Sequence, residues 1–405
     1  MTFLVMLLCE AQNTARKVEM ECTTEVIFDV GSLYAHFQKM EDRRKPRGLR
    51  YQLVTLLVMM VMAKLCGEDT PSGIADWVKH RSEQFTQLLK LKRRTMPHHS
   101  TYRRISEEVI DAEELEQVVS TVLRGKKFFG KQVLLAMDGK VLRGTLDGSQ
   151  HGTYLLAAYL PSEGLVLMEV AIGGKGGEIP GAARLLKMVD LREKVVMGDA
   201  MHTQRAISIQ IVEAAGDYIW FAKGNQPEME ENIRLWFEPE PDPIPGMGCL
   251  PKDFETAKEV SKGHGRLEER TLVVSSQLKD FLDWPYLEQV FQLERRFIST
   301  KTGEVQEQLV YGFTSLSREE ITPQTLLKKI RSYWRIENGL HYRRDVTLRE
   351  DRTRLSKGKA AQVMACLNNL VIGLVLGKTN FEYLPHARRF FDAQPAHAFA
   401  LLTRL

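Results

Sequence analysis

The sequence predicts an α/β fold, with a mixed β-sheet flanked by helices, a helical region before the sheet and a β-rich insertion within it. From about residue 31 to 125, apolar residues recur at helical spacing. From about 131 to 376, three strand-like apolar runs precede an alternation of helix and strand, which is the order of a mixed sheet covered by helices. Between about 238 and 322, prolines and alternating apolar residues interrupt this order, which indicates an inserted, strand-rich segment.

The helical region is predicted to contain a buried helix at residues 53–65. This run is strongly apolar, but it is too short to cross a bilayer and it contains Lys64. Thr70 and Pro71 then have the residue types that favour the N-cap and the first turn of another helix. Residues 1–30 show no clear period, and we expect them to form an N-terminal extension.

The composition is that of an ordinary globular protein. Of the 405 residues, 43% are hydrophobic and 27% are charged, which argues against long disordered tracts. The five cysteines are scattered and never form a CxxC pair, so neither a disulfide framework nor a zinc site is predicted. The sequence contains no convincing signal peptide or anchor, and we expect a cytoplasmic protein that does not bind a membrane.

Basic residues cluster in two segments, although the formal net charge is only +4. Between Trp77 and Arg104 there are eight lysines and arginines against one acid, Glu83. Between Lys328 and Lys359 there are eleven against four acids. Clustered basic residues suit contacts with DNA phosphates, and a solvated helix face explains either cluster about equally well.

Two strands of the predicted sheet each end in an aspartate. The run Val133–Met137 leads into Asp138, and the run at 195–198 leads into Asp199. Further strands are predicted at 153–160, 165–172 and 217–222, and helices at 178–190 and 203–215.

A later helix is predicted to carry a third acid. It runs from about Pro323 to beyond Glu337. Another helix is predicted at 358–376, followed by a C-terminal tail at 377–405. Spacings of three, three and four residues would place one stripe of polar and aromatic side chains on the first of these helices, namely Arg331, Trp334, Glu337 and His341.

Three acids from separate segments have the chemistry that metal-dependent phosphoryl transfer needs. Carboxylates are hard oxygen ligands that suit Mg²⁺ or Mn²⁺. Two ions about 3.5–4 Å apart can stabilise the attacking and the leaving oxygens of an in-line displacement. The alternative is that the aspartates only form turns and that the glutamate is solvated, which is common for these residue types.

Five motifs occur in the order typical of one known family. They are MDGKVLRGT at 137–145, GDAMHTQR at 198–205, YIWFAKGNQP at 218–227, HGRLEER at 264–270 and IRSYWRIENGLHYRRDVTLREDRTR at 330–354. With these motifs, the chain resembles the H-repeat-associated group of bacterial insertion-sequence transposases, relatives of the larger IS-four-type DDE group. The resemblance extends from about residue 33 to about 375. It includes the segment GLRYQLVTLLVMMVMAKLCGEDTPSGIADW, which is similar to the helical domain before the catalytic core of this group.

The resemblance implies a ribonuclease-H-like core in which Asp138, Asp199 and Glu337 hold two Mg²⁺ or Mn²⁺ ions. It implies a DNA transposase that cleaves double-stranded DNA at the ends of its own insertion sequence and joins those ends to target DNA. It also implies that the helical domain at 31–125 binds DNA, and that a homo-oligomer holds two ends together at the nucleoid in the cytoplasm.

Six side chains are predicted to contact DNA, namely Arg143, Lys223, Arg266, Arg331, His341 and Arg344. For the last three, α-helical spacing predicts positions beside Glu337 that flank the scissile phosphate. A solvated surface explains the arginines as well, and a turn cap explains the lysine. His202, three residues after Asp199, is predicted either to support that acid or to be an ordinary residue at a helix start.

The chain departs from the group at several positions. Tyr333 and Tyr342 stand where members often have His and Trp, and Gly177 stands where Asn is common before the Glu-Ile pair at 178–179. Arg344 replaces an apolar residue that is usual in the group. None of these departures removes an acid, so they bear on the DNA contacts more than on the chemistry.

Two other functions are compatible with the same sequence. The first is a domesticated or inactive transposase-derived protein that binds DNA without cleaving it. The second is a ribonuclease-H-like nuclease that cleaves DNA without strand transfer. A metal-dependent nicking assay separates the first from a transposase, and strand-transfer products separate the second.

Overall fold

The computed structural model describes residue 29 and residues 31–47, 49–124, 130–147, 152–174, 176–238, 251–263 and 265–404. The predicted extension at 1–30 lies outside these residues except for Asp29, and so do the prolines between 239 and 250. Among the described residues, a helical region precedes a nine-stranded sheet, and further helices cover the sheet and end the chain.

The region before the sheet is helical, as predicted. Its described residues form six α-helices, and a π turn at Ile105–Val109 follows the fifth. The helices are α1 (Leu33–Lys39), α2 (Leu53–Leu65), α3 (Pro71–His80), α4 (Ser82–Leu88), α5 (His99–Arg104) and α6 (Ala112–Arg124).

Helix α2 is the centre of this region. All thirteen of its residues are buried, which confirms the prediction of a core helix. Lys64 is buried with them, and its ammonium nitrogen lies 3.6 Å from a carboxylate oxygen of Asp69. The following helix begins as predicted, because the Thr70 hydroxyl accepts a hydrogen bond from the Gly73 N–H and Pro71 occupies the first turn.

The sheet combines the strands predicted for the core and for the insertion. Its nine strands are β1 (Val133–Val141), β2 (Tyr154–Leu160), β3 (Leu165–Ile172), β4 (Lys194–Met197), β5 (Asp217–Ala222), β6 (Glu255–Gly263), β7 (Arg266–Ser275), β8 (Gln289–Ser299) and β9 (Val305–Thr314). Their order across the sheet is β3-β2-β1-β4-β5-β9-β8-β7-β6.

The first five strands form the mixed part of the sheet. β1 is antiparallel to β2 and parallel to β4, while β4 is parallel to β5 and β3 is antiparallel to β2. The mixed sheet that the sequence predicts is therefore confirmed. Because β1 and β4 run in the same direction, residues that follow their paired segments lie at the same edge of the sheet.

The strand-rich segment predicted as an insertion supplies the other four strands. β6 to β9 form an antiparallel meander, and β9 also pairs with β5. The segment thus extends the sheet of the first five strands. Helix α9 (Pro227–Phe237) packs against β8 and β9, and helix α10 (Pro323–Tyr333) packs against β6 and β7.

Three further helices cover the first strands. α7 (Glu178–Lys187) packs against β2 and β3, α8 (Arg205–Glu213) against β5, and α11 (Ala360–Lys378) against β3 and α6. By length and composition alone, α11 is apolar enough to cross a membrane, but 89% of its apolar stretch is buried inside the protein. One such helix is weak evidence for a membrane span, because a buried core helix passes the same test.

The segment predicted as a C-terminal tail forms two helices instead, α12 (Leu384–Ala393) and α13 (Pro395–Thr403). Both pack against α2, and α13 also contacts α1. Their apolar side chains, such as Phe391 and Leu402, are buried in one core with α2 and α11. The helical region therefore completes its core with helices that lie after the sheet in the chain.

The strand that carries the first aspartate is longer than predicted. β1 does not end at Asp138, because the residues after it, Gly139 to Val141, still pair with Leu156 to Tyr154 of β2. Asp138 itself pairs with Ala157. Pairing with β2 therefore holds the backbone both before and after Asp138 in the chain.

The helix predicted to carry the third acid changes its geometry midway. α10 ends at Tyr333, and the chain continues into two π turns. We call Glu337–His341 the first π turn and Arg343–Thr347 the second π turn. A π turn bonds each N–H to the carbonyl five residues back, which widens the helix. The predicted α-helical stripe from Arg331 to His341 is therefore wrong, because α-helical spacing does not continue through this segment.

Arg344, which was assigned to DNA contact by its spacing, is fully buried at 0% exposure. Its guanidinium binds the carboxylate of Glu169 on β3 and, at 2.6 Å, that of Glu350. Asn368 on α11 donates a 2.8 Å hydrogen bond to the other carboxylate oxygen of Glu350. The assignment of Arg344 to a DNA phosphate is wrong for this structure, because its side chain does not reach the surface.

Glu116 on α6 lies beside the same buried groups. Its burial and the nearby charge of Glu169 raise the pKa of its carboxyl to about 8. We call Arg344, Glu169, Glu350, Asn368 and Glu116 the buried polar cluster. The cluster joins the helical region, β3, the second π turn and α11 beneath the surface.

Replacing Arg344 with methionine is expected to lower the free energy of unfolding by about 3–5 kcal/mol, because Glu169 and Glu350 would stay buried without their cation. Arg335→Met is the matched control, since Arg335 is exposed just after α10 and its loss should cost less than about 0.5 kcal/mol. Urea denaturation followed by circular dichroism measures both. Equal stability of the two variants would contradict a structural role for Arg344.

Glu116→Gln tests the raised pKa in the buried polar cluster. The folded protein keeps a proton on Glu116 up to about pH 8, whereas the carboxyl's ordinary pKa is 4.5. The unfolded chain therefore binds fewer protons between these values, and this group makes stability fall as the pH rises through them, by at most about 1.4 kcal/mol per pH unit.

The measurement is the free energy of unfolding at about pH 5.5 and about pH 7.5. The glutamine variant should lose the part of the fall that Glu116 causes in wild type. Glu113→Gln, at an exposed position of the same helix, should keep it. The same pH dependence in all three proteins would show that Glu116 does not carry the extra proton.

Candidate active site

The first acid, Asp138, is partly buried on β1. One of its carboxylate oxygens accepts a 3.0 Å hydrogen bond from the Gly139 N–H. The other lies 3.0 Å from Nε2 of His341 in the first π turn. His341 was predicted beside the third acid, and the structure brings it instead against the first. With only 7% of its surface exposed, it can orient the Asp138 carboxylate better than it can reach DNA.

The second acid, Asp199, follows β4 and is more open to solvent. It caps a short 3₁₀ turn at Ala200–His202, and its carboxylate accepts a 2.7 Å hydrogen bond from the Ala200 N–H. Lys223 approaches the same carboxylate, with Nζ 4.0 Å from Oδ1. The lysine predicted from the motif after β5 therefore lies beside an acid of the site.

The strand register brings these two acids together. β1 and β4 are parallel, and Ala136 of β1 pairs with Met197 of β4. Asp138 and Asp199 each lie two residues beyond that pair, so they occupy the same level of neighbouring strands. The local reason is that residues 134–137 of β1 and 195–197 of β4 are apolar and buried, whereas the acid that follows each run is not fully buried.

The third acid, Glu337, is the first residue of the first π turn and is exposed. The charges of Glu337 and of the two aspartates all reach one residue, Tyr333, which is buried at the end of α10. Burial raises the pKa of the Tyr333 phenol, and the negative charges of Asp138, Asp199 and Glu337 raise it further. All three acids therefore lie within electrostatic reach of one side chain.

Sequence reasoning missed a fourth acid in this neighbourhood. Glu178 is the first residue of α7, and its pKa is raised by partial burial and by the charges of Asp138 and Asp199. His202 lies beside it, with Nε2 4.0 Å from a Glu178 carboxylate oxygen. Burial lowers the pKa of His202, which favours its neutral form. The Glu-Ile pair that the chain shares with the resembling group is the sequence signal that could have identified Glu178.

Two basic residues on and after β1 connect the sheet to the second π turn and to the 3₁₀ turn at Glu350–Arg352 that follows it. Lys140 lies 2.5 Å from Asp345 and 3.4 Å from Asp351. Arg143 is largely exposed, with Nε 3.6 Å from Asp351. Lys140 is thus neutralised by its partners, whereas the guanidinium of Arg143 remains accessible at the rim of the site.

Two other predicted DNA contacts lie away from the acids. Arg331 is ion-paired with Glu259 on β6, so its charge is directed to the extended part of the sheet. Arg266 begins β7, where its guanidinium stacks 5.2 Å from the ring centre of Phe297. The structure does not bring Arg331, Arg266 or Arg344 to the three acids.

The carboxylates of the site are oxygen donors of the kind that binds a divalent ion. Within the described residues, no three His, Cys, Asp or Glu side chains lie close enough together to hold a metal ion. An open set of carboxylates still suits Mg²⁺, which usually takes one or two carboxylates and keeps several waters. Asp138 and Asp199 are hard donors at the same level of two strands, so their chemistry and placement fit such an ion.

Comparison with known proteins identifies the family. Residues 129–374 match the family described as "Transposase DDE domain", and residues 34–122 match the one described as "DDE_Tnp_1-associated". The first match covers the sheet from before β1 and extends into α11, and the second covers the helical region.

Relatives in Escherichia coli support the same assignment. "H repeat-associated putative transposase YhhI" of strain K12 is 25% identical over 361 residues, which is 87% of this chain and 93% of that protein. "Putative transposase YncI" of O157:H7 is 26% identical over 352 residues, 85% of this chain and 87% of that protein. Because the family match spans more than half of its length, the chain belongs to the transposase DDE domain family.

Proposed function

We propose that this protein is a DNA transposase that cleaves DNA at the ends of an insertion sequence and joins those ends to target DNA. Its catalytic acids would be Asp138, Asp199 and Glu337. The observation that carries the proposal is the register of β1 and β4, which sets the two aspartates side by side. The common action of all three charges on Tyr333 supports the inclusion of Glu337.

We assign the first five strands to a ribonuclease-H-like core. The order β3-β2-β1-β4-β5, with β2 antiparallel to its neighbours, supports this assignment. On this assignment, β6 to β9 are the inserted subdomain, and the chain divides near residue 125 into a helical DNA-binding part and a catalytic part. The shared core of α2, α11, α12 and α13 argues that the two parts fold together.

The acids would hold two divalent ions, Mg²⁺ or Mn²⁺, which supply charge that stabilises the attacking and leaving oxygens of an in-line displacement. Asp138 is held for this task by the Gly139 N–H and by His341. Lys223, half-exposed beside Asp199, is placed to bind a phosphate oxygen of the DNA.

The reaction would consist of two successive phosphoryl transfers. In the first, water attacks a phosphodiester at the element end, and the bond to the 3′-oxygen breaks to leave a free 3′-hydroxyl. In the second, that hydroxyl attacks a phosphodiester of the target, and the target's own 3′-oxygen leaves. Both are in-line displacements, so one arrangement of acids and cations serves both.

The DNA would be bound largely outside the acid site. Lys92, Arg93 and Arg94 are exposed in the segment between α4 and α5. Within the described residues, none of the three has a carboxylate within ion-pair distance, so their charges are available to phosphates. Arg143 at the rim of the site and Arg266 on β7 would extend this contact. A homo-oligomer would hold two ends together, at the nucleoid in the cytoplasm.

Asp138→Asn, Asp199→Asn and Glu337→Gln should each lower DNA cleavage by at least about a hundredfold, because the amide keeps the shape but loses the charge that holds Mg²⁺. Binding of uncleaved ends should remain within about threefold of wild type, since the contacts with the DNA backbone lie elsewhere. Nicking of a labelled element end and gel mobility shift measure the two properties.

Glu213→Gln, an exposed acid at the end of α8, is the control and should cleave as wild type does. Wild-type cleavage by any triad variant would remove that residue from the site. DNA binding by the wild type without any metal-dependent nicking would favour an inactive, transposase-derived protein. Nicking without strand-transfer products would favour a nuclease.

Neutralising the exposed basic segment should weaken DNA binding in the full chain. With Lys92, Arg93 and Arg94 all replaced by alanine, the slope of log affinity against log salt should fall by up to about 3. The control replaces Lys187, the last residue of α7, and Arg192, five residues after it, and should keep the wild-type slope. Fluorescence anisotropy at several salt concentrations measures both, and equal slopes would exclude this segment from the DNA contact.

A further inference from the structure

The carboxylate of Glu178 lies against the backbone that carries Asp138. A Cβ atom built on Gly139 would be 3.1 Å from Oε2 of Glu178, 3.3 Å from Oε1 and 3.2 Å from the carboxyl carbon. These distances are tighter than ordinary contacts, so the glycine next to the first acid is what allows this approach. Glu178, at the start of α7, is therefore packed against the strand that carries the first acid and is only partly exposed to solvent.

A buried, neutral histidine faces the same carboxylate. His202 is 1% exposed, and its Nε2 lies 4.0 Å from Oε2 of Glu178, which is beyond hydrogen-bond distance. Its Nδ1 is buried and has no hydrogen-bond partner among the described residues. His202 is packed against Gly198, where a Cβ atom would be 2.8 Å from its Cδ2. A glycine therefore stands beside each aspartate, and each leaves room for one of these two side chains.

The place of Glu178 is unfavourable unless a cation joins it. Its carboxylate lies within electrostatic reach of both Asp138 and Asp199, and partial burial removes part of the water that would screen them. The described residues include no lysine or arginine within ion-pair distance of Glu178. Like charges held together in this way are typical of sites that bind a divalent ion.

The N-terminal end of α7 offers a simpler explanation, because a glutamate there stabilises the helix dipole. That explanation accounts for the residue type but not for the direction of the side chain. A carboxylate that serves only the helix would be equally stable in water, away from two other acids. The close fit against Gly139 holds the carboxylate beside the backbone of the first acid, and the buried imidazole of His202 lies on its other side.

We propose that Glu178 is a fourth carboxylate of the active site, which helps Asp138 to hold a divalent ion while His202 forms the buried wall behind it. This inference rests on the proposed function. It goes beyond the triad because it assigns an acid that lies on α7, before β4, and outside the five motifs quoted from the sequence.

Binding of Mn²⁺ to the DNA-free, full-length protein tests this directly, with free Mn²⁺ counted by electron paramagnetic resonance. Glu178→Gln should weaken the binding by about tenfold, because it removes one anionic ligand and leaves the shape of the side chain. Asp138→Asn should weaken it at least as much. Glu213→Gln should bind as wild type does, since Glu213 lies exposed at the far end of α8.

Thermal unfolding supplies a readout that does not depend on activity. Without metal, Glu178→Gln should melt at a higher temperature than wild type, because one of three mutually repelling charges is gone. On addition of Mn²⁺ the wild type should gain more stability than the variant, since stabilisation follows the affinity of the folded state for its ligand. A variant that simply folds poorly would melt lower in both conditions, which would count against the proposal.

Mn²⁺ binding by the variants separates the role of Glu178 from the proposed function. If Glu178→Gln binds Mn²⁺ as wild type does while Asp138→Asn loses it, Glu178 is a helix-terminal residue and the proposed function stands. If Asp138→Asn and Asp199→Asn also bind Mn²⁺ as wild type does, the ion is not held by these acids, and both the inference and the metal-dependent part of the proposed function fall.

Discussion

The arrangement of the acids depends on one buried charge, the guanidinium of Arg344. It binds Glu169 on β3 and Glu350 after the second π turn, and Glu350 also accepts a hydrogen bond from Asn368 on α11. An unpaired charge in this place would cost several kcal/mol, so these elements are fixed relative to one another. The segment that carries Glu337 is thereby held over the sheet that carries the two aspartates.

The π turns explain how one segment serves both the buried polar cluster and the acid site. His341 faces Asp138, whereas Arg344, three residues later, is enclosed in the core. The ion pair between Lys140 and Asp345 adds a second link between β1 and this segment. π turns are rare and occur frequently at functional sites. Here their wider spacing coincides with contacts to β1 on one side and to the core on the other.

Patterns among residues that are close in the sequence predicted the helices and strands. Contacts between residues that are far apart in the sequence could not be predicted. Helix α2, the mixed sheet and the two aspartates follow from apolar runs and caps, which are local. The burial of Arg344 is not local, because its partner Glu169 lies 175 residues away. A basic residue on a helix looks the same whether it faces solvent or a buried carboxylate. Helices α12 and α13 and the approach of Glu178 to Gly139 likewise depend on partners far along the chain.

On the proposed function, the charge distribution separates two kinds of DNA contact. At the acid site, carboxylates repel a phosphate, and Lys223 offsets only part of their charge. On the proposed function, placing a phosphate there requires divalent ions, since these add the missing positive charge. The exposed residues from Lys92 to Arg94 would need no such help, and their proposed contact with DNA would weaken with monovalent salt instead. On the proposed function, capture of the DNA and placement of the scissile phosphate would therefore be separable steps that respond to different ions.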